Sequence, residues 1–136
     1  MSDKKIKFKL ITHEKVVFDG EVDEIYSKGL DGEFGILPDH TPFMSALSIC
    51  VTKIVNDGKP LYFSTVGGVL QFINNEAVIL SEDAENGNDI DLALAKSEKE
   101  KEEAKFYTPD KIKDIQQSEK ALAVAISRFK AANKEM

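Results

Sequence analysis

The chain has one cysteine, no tryptophan and two histidines. A single thiol, Cys50, excludes a disulfide within the chain and a cysteine metal cluster. Set in an apolar run, Cys50 reads as a small core residue, and this cysteine use points to a cytosolic-type compartment. His13 and His40 lie far apart, with no cysteine or carboxylate pair at ligand spacing beside them, so no metal site is expected. No apolar run approaches the ~20 residues of a membrane span. The opening Met1-Ser2-Asp3-Lys4-Lys5 lacks the apolar stretch of a secretory signal. Positive charge is also short: the formal net charge is −6, so nucleic acid is not an expected partner. Catalytic motifs are missing as well. Gly29, Gly32 and Gly35 form neither a phosphate-cradling G-x-x-x-x-G-K-[ST] loop nor a G-x-G-x-x-G turn, and no serine stands in a G-x-S-x-G elbow. The carboxylates Asp31, Glu33 and Asp39 cluster in a loop without the burial that an acid–base pair needs. These absences point to a non-catalytic protein that works by binding other proteins.

What is present divides into two halves with different periods. Ile6, Phe8 and Leu10 alternate with Lys5, Lys7 and Lys9, the two-residue period of a half-buried strand. Val16 to Phe18 is a second run, and Asp19-Gly20 predicts a hairpin turn into Glu21–Ser27. A third run, Leu47–Val55, is predicted to put Leu47, Ile49 and Val51 on one face. Asn56-Asp57-Gly58 turns the chain into Leu61–Val66, Gly67-Gly68 breaks or bulges the ladder, and Asn74-Asn75 turns again into Ala77–Leu80. Short strands at near-regular spacing predict an antiparallel β-sandwich over residues 1–86.

Beyond Ala84 helix formers take over, and residues 87–136 are predicted to form an antiparallel two-helix hairpin. Asn88 or Asp89 is the expected cap of a first helix beginning near Ile90. Thr108-Pro109 restarts a helix, with proline where its missing N–H costs nothing. In that second helix Ile112, Ile115, Leu122, Ile126 and Phe129 fall on one stripe, joined by Ala125. So little apolar area, at ~25 cal/mol per Å², hardly exceeds an ordering cost of roughly 1.5 kcal/mol per residue. The hairpin must therefore lean on the sandwich or on a partner, and could exchange between them.

The most unusual stretch is Asp31-Gly32-Glu33-Phe34-Gly35-Ile36-Leu37-Pro38-Asp39-His40-Thr41-Pro42, which predicts a long rigid loop presenting an interface. Gly32–Pro38 with His40-Thr41-Pro42 resembles the signature loop of the epsilon subunit of rotary F-type ATP synthase, called delta in mitochondria. Val66-Gly67-Gly68-Val69-Leu70, then Asn74-Asn75 and Val78-Ile79-Leu80 with Ala84, resembles a second signature. Ile90-Asp91 with Ala93 and Ala95 resembles the start of that family's C-terminal hairpin. The three pieces, in the family's order, span about Ile6 to Arg128.

The resemblance implies a rotor subunit that couples rotation of the c-ring to the gamma subunit. It places Asp31, Gly32, Glu33 and Phe34 toward the c-ring, and His40, Thr41 and Pro42 toward gamma. It also implies a mobile hairpin that inhibits ATP hydrolysis when extended toward the catalytic alpha and beta subunits. Lys111, Lys113, Lys120, Arg128, Lys130 and Lys134 are the implied basic contacts there. Membrane association, at the cytoplasmic face of the bacterial cell membrane, would come only through the complex.

Some bacterial members bind ATP through an (Ile/Leu)-Asp-x-x-Arg-Ala motif. Ile90, Asp91 and Ala95 match it, but Leu94 stands at the arginine, and a second basic position falls on Val124 while Arg128 is kept. Loss of two guanidiniums removes bidentate phosphate contacts, so ATP is expected to bind weakly or not at all, and no cofactor is expected. Two other readings compete: a free-standing nucleotide-sensing sandwich with the helices as a lid, and an enzyme acting through the Asp31–His40 loop. The missing arginines weigh against the first. The lack of a nucleophile–base arrangement weighs against the second.

Overall fold

The computed structural model describes residues 4–106 and 115–136. Ten strands come first: β1 (Ile6–Ile11), β2 (Val16–Val22), β3 (Glu24–Gly29), β4 (Gly32–Ile36), β5 (Phe43–Ala46), β6 (Ile49–Asn56), β7 (Lys59–Val66), β8 (Val69–Ile73), β9 (Glu76–Leu80) and β10 (Asp83–Asn86). A 3-10 turn over Gly87–Asp89 leads to α1 (Leu92–Phe106), and α2 covers Ile115–Ala132. The predicted second-helix start at Thr108-Pro109, and Ile112, Lys111 and Lys113, lie outside the described residues.

The strands form two five-stranded sheets, ordered β2-β1-β9-β8-β5 and β10-β7-β6-β3-β4. Every pair is antiparallel except β1 with β9. The inner faces meet in one core that includes Phe8, Phe63, Phe72, Ile25, Leu70 and Ile79. The alternation predicted for β1 is realised: Ile6, Phe8 and Leu10 are buried while Lys7 and Lys9 are exposed. The paired turns are also as expected. Asp57 and Gly58, and Asn74 and Asn75, have the positive φ of primed hairpin turns. At Gly68 (φ 108) a Cβ would lie 2.1 Å from the Leu80 carbonyl oxygen, so only glycine lets the chain cross between sheets there.

Four expectations for the sandwich are corrected. Asp19-Gly20 is not a turn: both lie inside β2, opposite Lys9 and Phe8. The turn falls at Thr12–Lys15, where the Thr12 hydroxyl accepts from the amides of Glu14 and Lys15. Leu47 and Val51 do not share a face. The ladder is interrupted at Ser48, so Leu47 joins the inter-sheet core while Val51 faces the helices. Residues 32–36 are a strand, not a loop, and carry Ile36 into the core. Cys50 is half-buried among hydroxyls, its Sγ 3.5 Å from Ser27 Oγ and 3.6 Å from Thr65 Oγ1, rather than enclosed by apolar groups.

The helices form a third layer on the outer face of the second sheet. Neither Asn88 nor Asp89 caps α1; Asp91 does, accepting from the Leu94 amide at 3.0 Å. Asn86 caps the preceding 3-10 turn instead. The predicted stripe on α2 is also displaced. Ile115 is 64% exposed, Leu122, Ile126 and Phe129 are half-buried, and the fully buried positions are Ala125, Ser127 and Ala131. Small residues take the contact because the helix backbone lies close to the sheet and to α1. At Gly87 a Cβ would stand 2.2 Å from the Ala131 carbonyl oxygen. Ser127 Oγ lies 2.8 Å from Ser64 Oγ and donates to the Cys50 carbonyl at 2.8 Å.

Candidate functional site

Strand pairing delivers the predicted residues to two places on the sandwich and one on the helices. In the β3–β4 hairpin, Gly29 opposite Gly32 leaves Leu30 and Asp31 as a two-residue tip. Asp31, Gly32 and Glu33 are exposed there, as is Leu30 at 72%, an apolar residue at the apex that the sequence reading passed over. Phe34 departs from this group. Its ring packs on the core, 5.0 Å from the Phe43 ring, because strand alternation turns it inward.

His40, Thr41 and Pro42 are exposed in the 37–42 connection. The His40 ring stands edge-on to Phe43 and Phe72, at 5.8 and 5.9 Å, and Nδ1 donates to the Thr41 carbonyl. Asp39 (φ 66) anchors the connection: its amide donates to Asn75 Oδ1, and Asn75 Nδ2 donates back to its carboxylate. That bond, followed by Lys4, holds the Asp39 carboxyl below its usual range. The 37–42 connection is thus tied to the β8–β9 turn.

The two outer faces of the sandwich differ. The second sheet is covered by the hairpin. Among the described residues nothing covers the first sheet, which carries Met44 (66% exposed), Val69, Ile73, Val78 and Leu80. Register lines these up: Val69 lies opposite Leu80 on one side and Ala46 on the other, and Gln71 sits between Met44 and Val78. The His40 connection enters this sheet at Phe43.

On the helices, Ile90 and Ala95 are buried against the second sheet, Asp91 is spent as a cap, and Leu94 is exposed. Arg128 lies half-buried and is shared. Its Nε and Nη2 donate to Glu85 Oε2 at 3.2 Å, and Nη1 donates to Glu98 Oε2 at 2.6 Å. Lys120 pairs with Glu82 at 2.8 Å. A groove of about 370 Å³ between the helices is lined by Glu98, Glu102, Lys120, Val124, Ala125 and Arg128. Lys130 lines a separate cleft of about 250 Å³ with Lys28, Glu33 and Cys50. Lys134 (φ 57) sits just past the end of α2. Glu85, Glu98 and Ser127 were not legible as site residues, since nothing local marks them; only the fold brings Glu85 and Glu98 to Arg128 and sets Ser127 on the sheet. Among the described residues no group of three His, Cys, Asp or Glu side chains is placed to hold a metal.

Residues 5–87 match the beta-sandwich domain of the ATP synthase delta/epsilon chain. The chain is 37% identical over 123 residues to the ATP synthase epsilon chain of Desulforamulus reducens, covering 90% of this chain and 93% of that one. With the ATP synthase epsilon chain of Citrifermentans bemidjiense it is 36% identical over 132 residues, covering 96% and 95%. A chain in the cryo-EM structure of Euglena gracilis mitochondrial ATP synthase (OSCP/F1/c-ring) shares the fold. There the TM-score is 0.77 at 21% identity, over 96% of this chain and 80% of that one.

Proposed function

The chain belongs to the ATP synthase delta/epsilon family, and from this premise we propose that its sandwich couples c-ring rotation to gamma while its hairpin brakes ATP hydrolysis. As an epsilon chain it is a non-catalytic stalk subunit of F-type ATP synthase, a membrane-associated complex. No helix among the described residues is long and apolar enough to cross a membrane. The contrast between the two outer faces of the sandwich carries the proposal. A bare sheet face with Met44, Val69, Val78 and Leu80 aligned marks a protein interface, because a monomer gains nothing from exposing them together. We assign that face, with His40, Thr41 and Pro42 at its edge, to gamma. The tip formed by Leu30, Asp31, Gly32 and Glu33 is assigned to the c-ring.

The covered face supports the brake. The hairpin is held by a small apolar group of Val51, Ile90, Ala95 and Ala131 flanked by Tyr62 and Phe129, two hydroxyl bonds and ion pairs, a contact with far less apolar area to lose on release than the core between the sheets. Released, it would offer Lys120, Arg128, Lys130 and Lys134, together with Lys111 and Lys113, to acidic segments of the alpha and beta subunits. Nucleotide is not the controlling ligand in this reading. Leu94 and Val124 supply no guanidinium, Asp91 is already capping α1, and Glu98 and Glu102 would face a triphosphate in the groove. Calorimetry should find no binding of MgATP at millimolar strength; a millimolar or tighter dissociation constant overturns that part.

The deciding experiment measures ATP hydrolysis by the stalk-containing catalytic complex, reconstituted with the full chain or with a version ending at Asn86. Both versions are expected to bind, and only the full chain to suppress hydrolysis. Equal hydrolysis with both removes the brake and leaves the coupling role. Failure of both to bind overturns the attachment surfaces.

A further inference from the structure

We propose that Arg128 is the release point of the hairpin: Glu85 and Glu98 clasp it in the docked state, and an acidic peptide segment can engage it only by displacing them. The clasp itself rests on the geometry of this chain; its consequence for hydrolysis rests on the brake proposed above. Arg128 belongs to α2, Glu98 to α1 and Glu85 to β10, so one guanidinium ties both helices to the sandwich. Three of its N–H groups are spent on two carboxylates. Lys120 repeats the arrangement on Glu82, but both of those side chains are more than half exposed and their pair is weak. Elsewhere the hairpin meets the sheet through Ser127 and a small apolar group of Val51, Ile90, Ala95 and Ala131, flanked by Tyr62 and Phe129. That group is far smaller than the core between the sheets, so docking draws on charge as well as on apolar burial.

The charge balance gives the proposal its sign. Glu85 and Glu98 set two carboxylates against the one guanidinium, while Glu102 in the same groove is paired with Lys105 and Lys120 with Glu82, so the clasp itself carries more negative than positive charge. Removing Arg128 leaves Glu85 and Glu98 facing each other across the junction of α1 and β10, and like charges there push the helices off. Neutralising Glu85 loosens docking while Arg128 is present and restores it when Arg128 is absent. A purely structural role for either side chain predicts no such reversal. The clasp and an external carboxylate also draw on the same guanidinium, so release and capture are in direct competition. Ionic strength weakens both.

The test follows amide hydrogen exchange of residues 122–132 in the full-length chain at low and high salt. Glu85→Gln should lower protection by about twofold to fivefold, the size of a partly screened ion pair. Arg128→Gln should lower it further, and adding Glu85→Gln to Arg128→Gln should raise it again. An equal loss from Glu85→Gln with and without Arg128 overturns the clasp. In the reconstituted complex, Glu85→Gln should inhibit hydrolysis more strongly than the unaltered chain. Unchanged inhibition, where the version ending at Asn86 relieves it, overturns the competition. If that version relieves nothing, the brake fails, and the exchange cycle alone decides the clasp.

Discussion

At the scale of single residues, Gly87 and Asn75 do work that no other side chain could. Gly87 lets the last turn of α2 rest on the sandwich, with the Ala131 carbonyl where a Cβ would be. Gly87→Ala should lift that turn at a cost of about 1–3 kcal/mol to docking. Hydrogen exchange should show lost protection in α2 and unchanged protection in β6 and β7; equal loss in both would mean the glycine supports the sandwich instead. Asn75 is the first cause of the depressed Asp39 carboxyl. Because the folded value lies below the unfolded one, this contribution is present above the unfolded pKa of about 3.9 and is lost as pH falls through the folded value. Asn75→Gly keeps the positive φ but removes the amide. Carbon-detected titration of Asp39 should then move toward the ordinary carboxylate range, and no movement would assign the shift to Lys4. The lysine side of the same logic appears at Lys5. Its pKa is raised by Asp57 and then Asp23, so its contribution is present below about 10.4 and lost as pH rises through the folded value.

At the scale of elements, α2 ends in a six-to-one closure. The Glu135 amide donates to the Lys130 carbonyl, the Lys134 amide to the Ala131 carbonyl, and Lys134 takes the left-handed conformation usual for glycine. Lys134→Gly should stabilise α2 by about 0.5–1 kcal/mol, read as higher protection of its last two turns. Protection that falls would mean the Lys134 charge matters more than its backbone. Strands were legible where one face is buried and the other wet, as in β1. Where both faces are covered the strands were still legible, but which residues face which way was not. In β6 the second sheet lies between the core and the helices, so alternation vanishes and the shift at Ser48 leaves no trace in the residue types. Asp19-Gly20 failed for a different reason. Its turn chemistry is real, but pairing opposite Lys9 and Phe8 keeps β2 extended, with Gly20 lying against the Phe18 ring. The helices were legible in kind but not in orientation, since large apolar residues drew attention from the small ones that make the contact.

At the scale of the whole molecule, the sandwich and the hairpin have separate cores. Every member of the main cluster lies between Ile6 and Ala84. The helices meet the sheet through a second group of Val51, Ile90, Ala95 and Ala131. A version ending at Asn86 should therefore unfold cooperatively in urea, at a midpoint close to that of the full chain, with a smaller m value for the smaller area exposed. Loss of cooperative unfolding would show that the hairpin is part of the fold and not a rider on it. The residues proposed for attachment could be picked out of the sequence because they stand in a contiguous motif. The clasp was not, because it joins residues separated by 30 and 43 positions and exists only after docking.

The lone parallel pairing, β1 with β9, has a consequence for how the chain is made. On the ribosome β1 and β2 can close their hairpin early, yet the other edge of β1 stays unpaired until residues 76–80 emerge. Through that interval an apolar strand edge is open to neighbouring chains. Lys5, Lys7 and Lys9 flank and alternate with Ile6, Phe8 and Leu10, so a nascent chain approaching that edge meets three cations before it meets a hydrophobic surface. Replacing Lys7 and Lys9 with threonine should leave the finished fold intact and raise the fraction lost to inclusion bodies during synthesis.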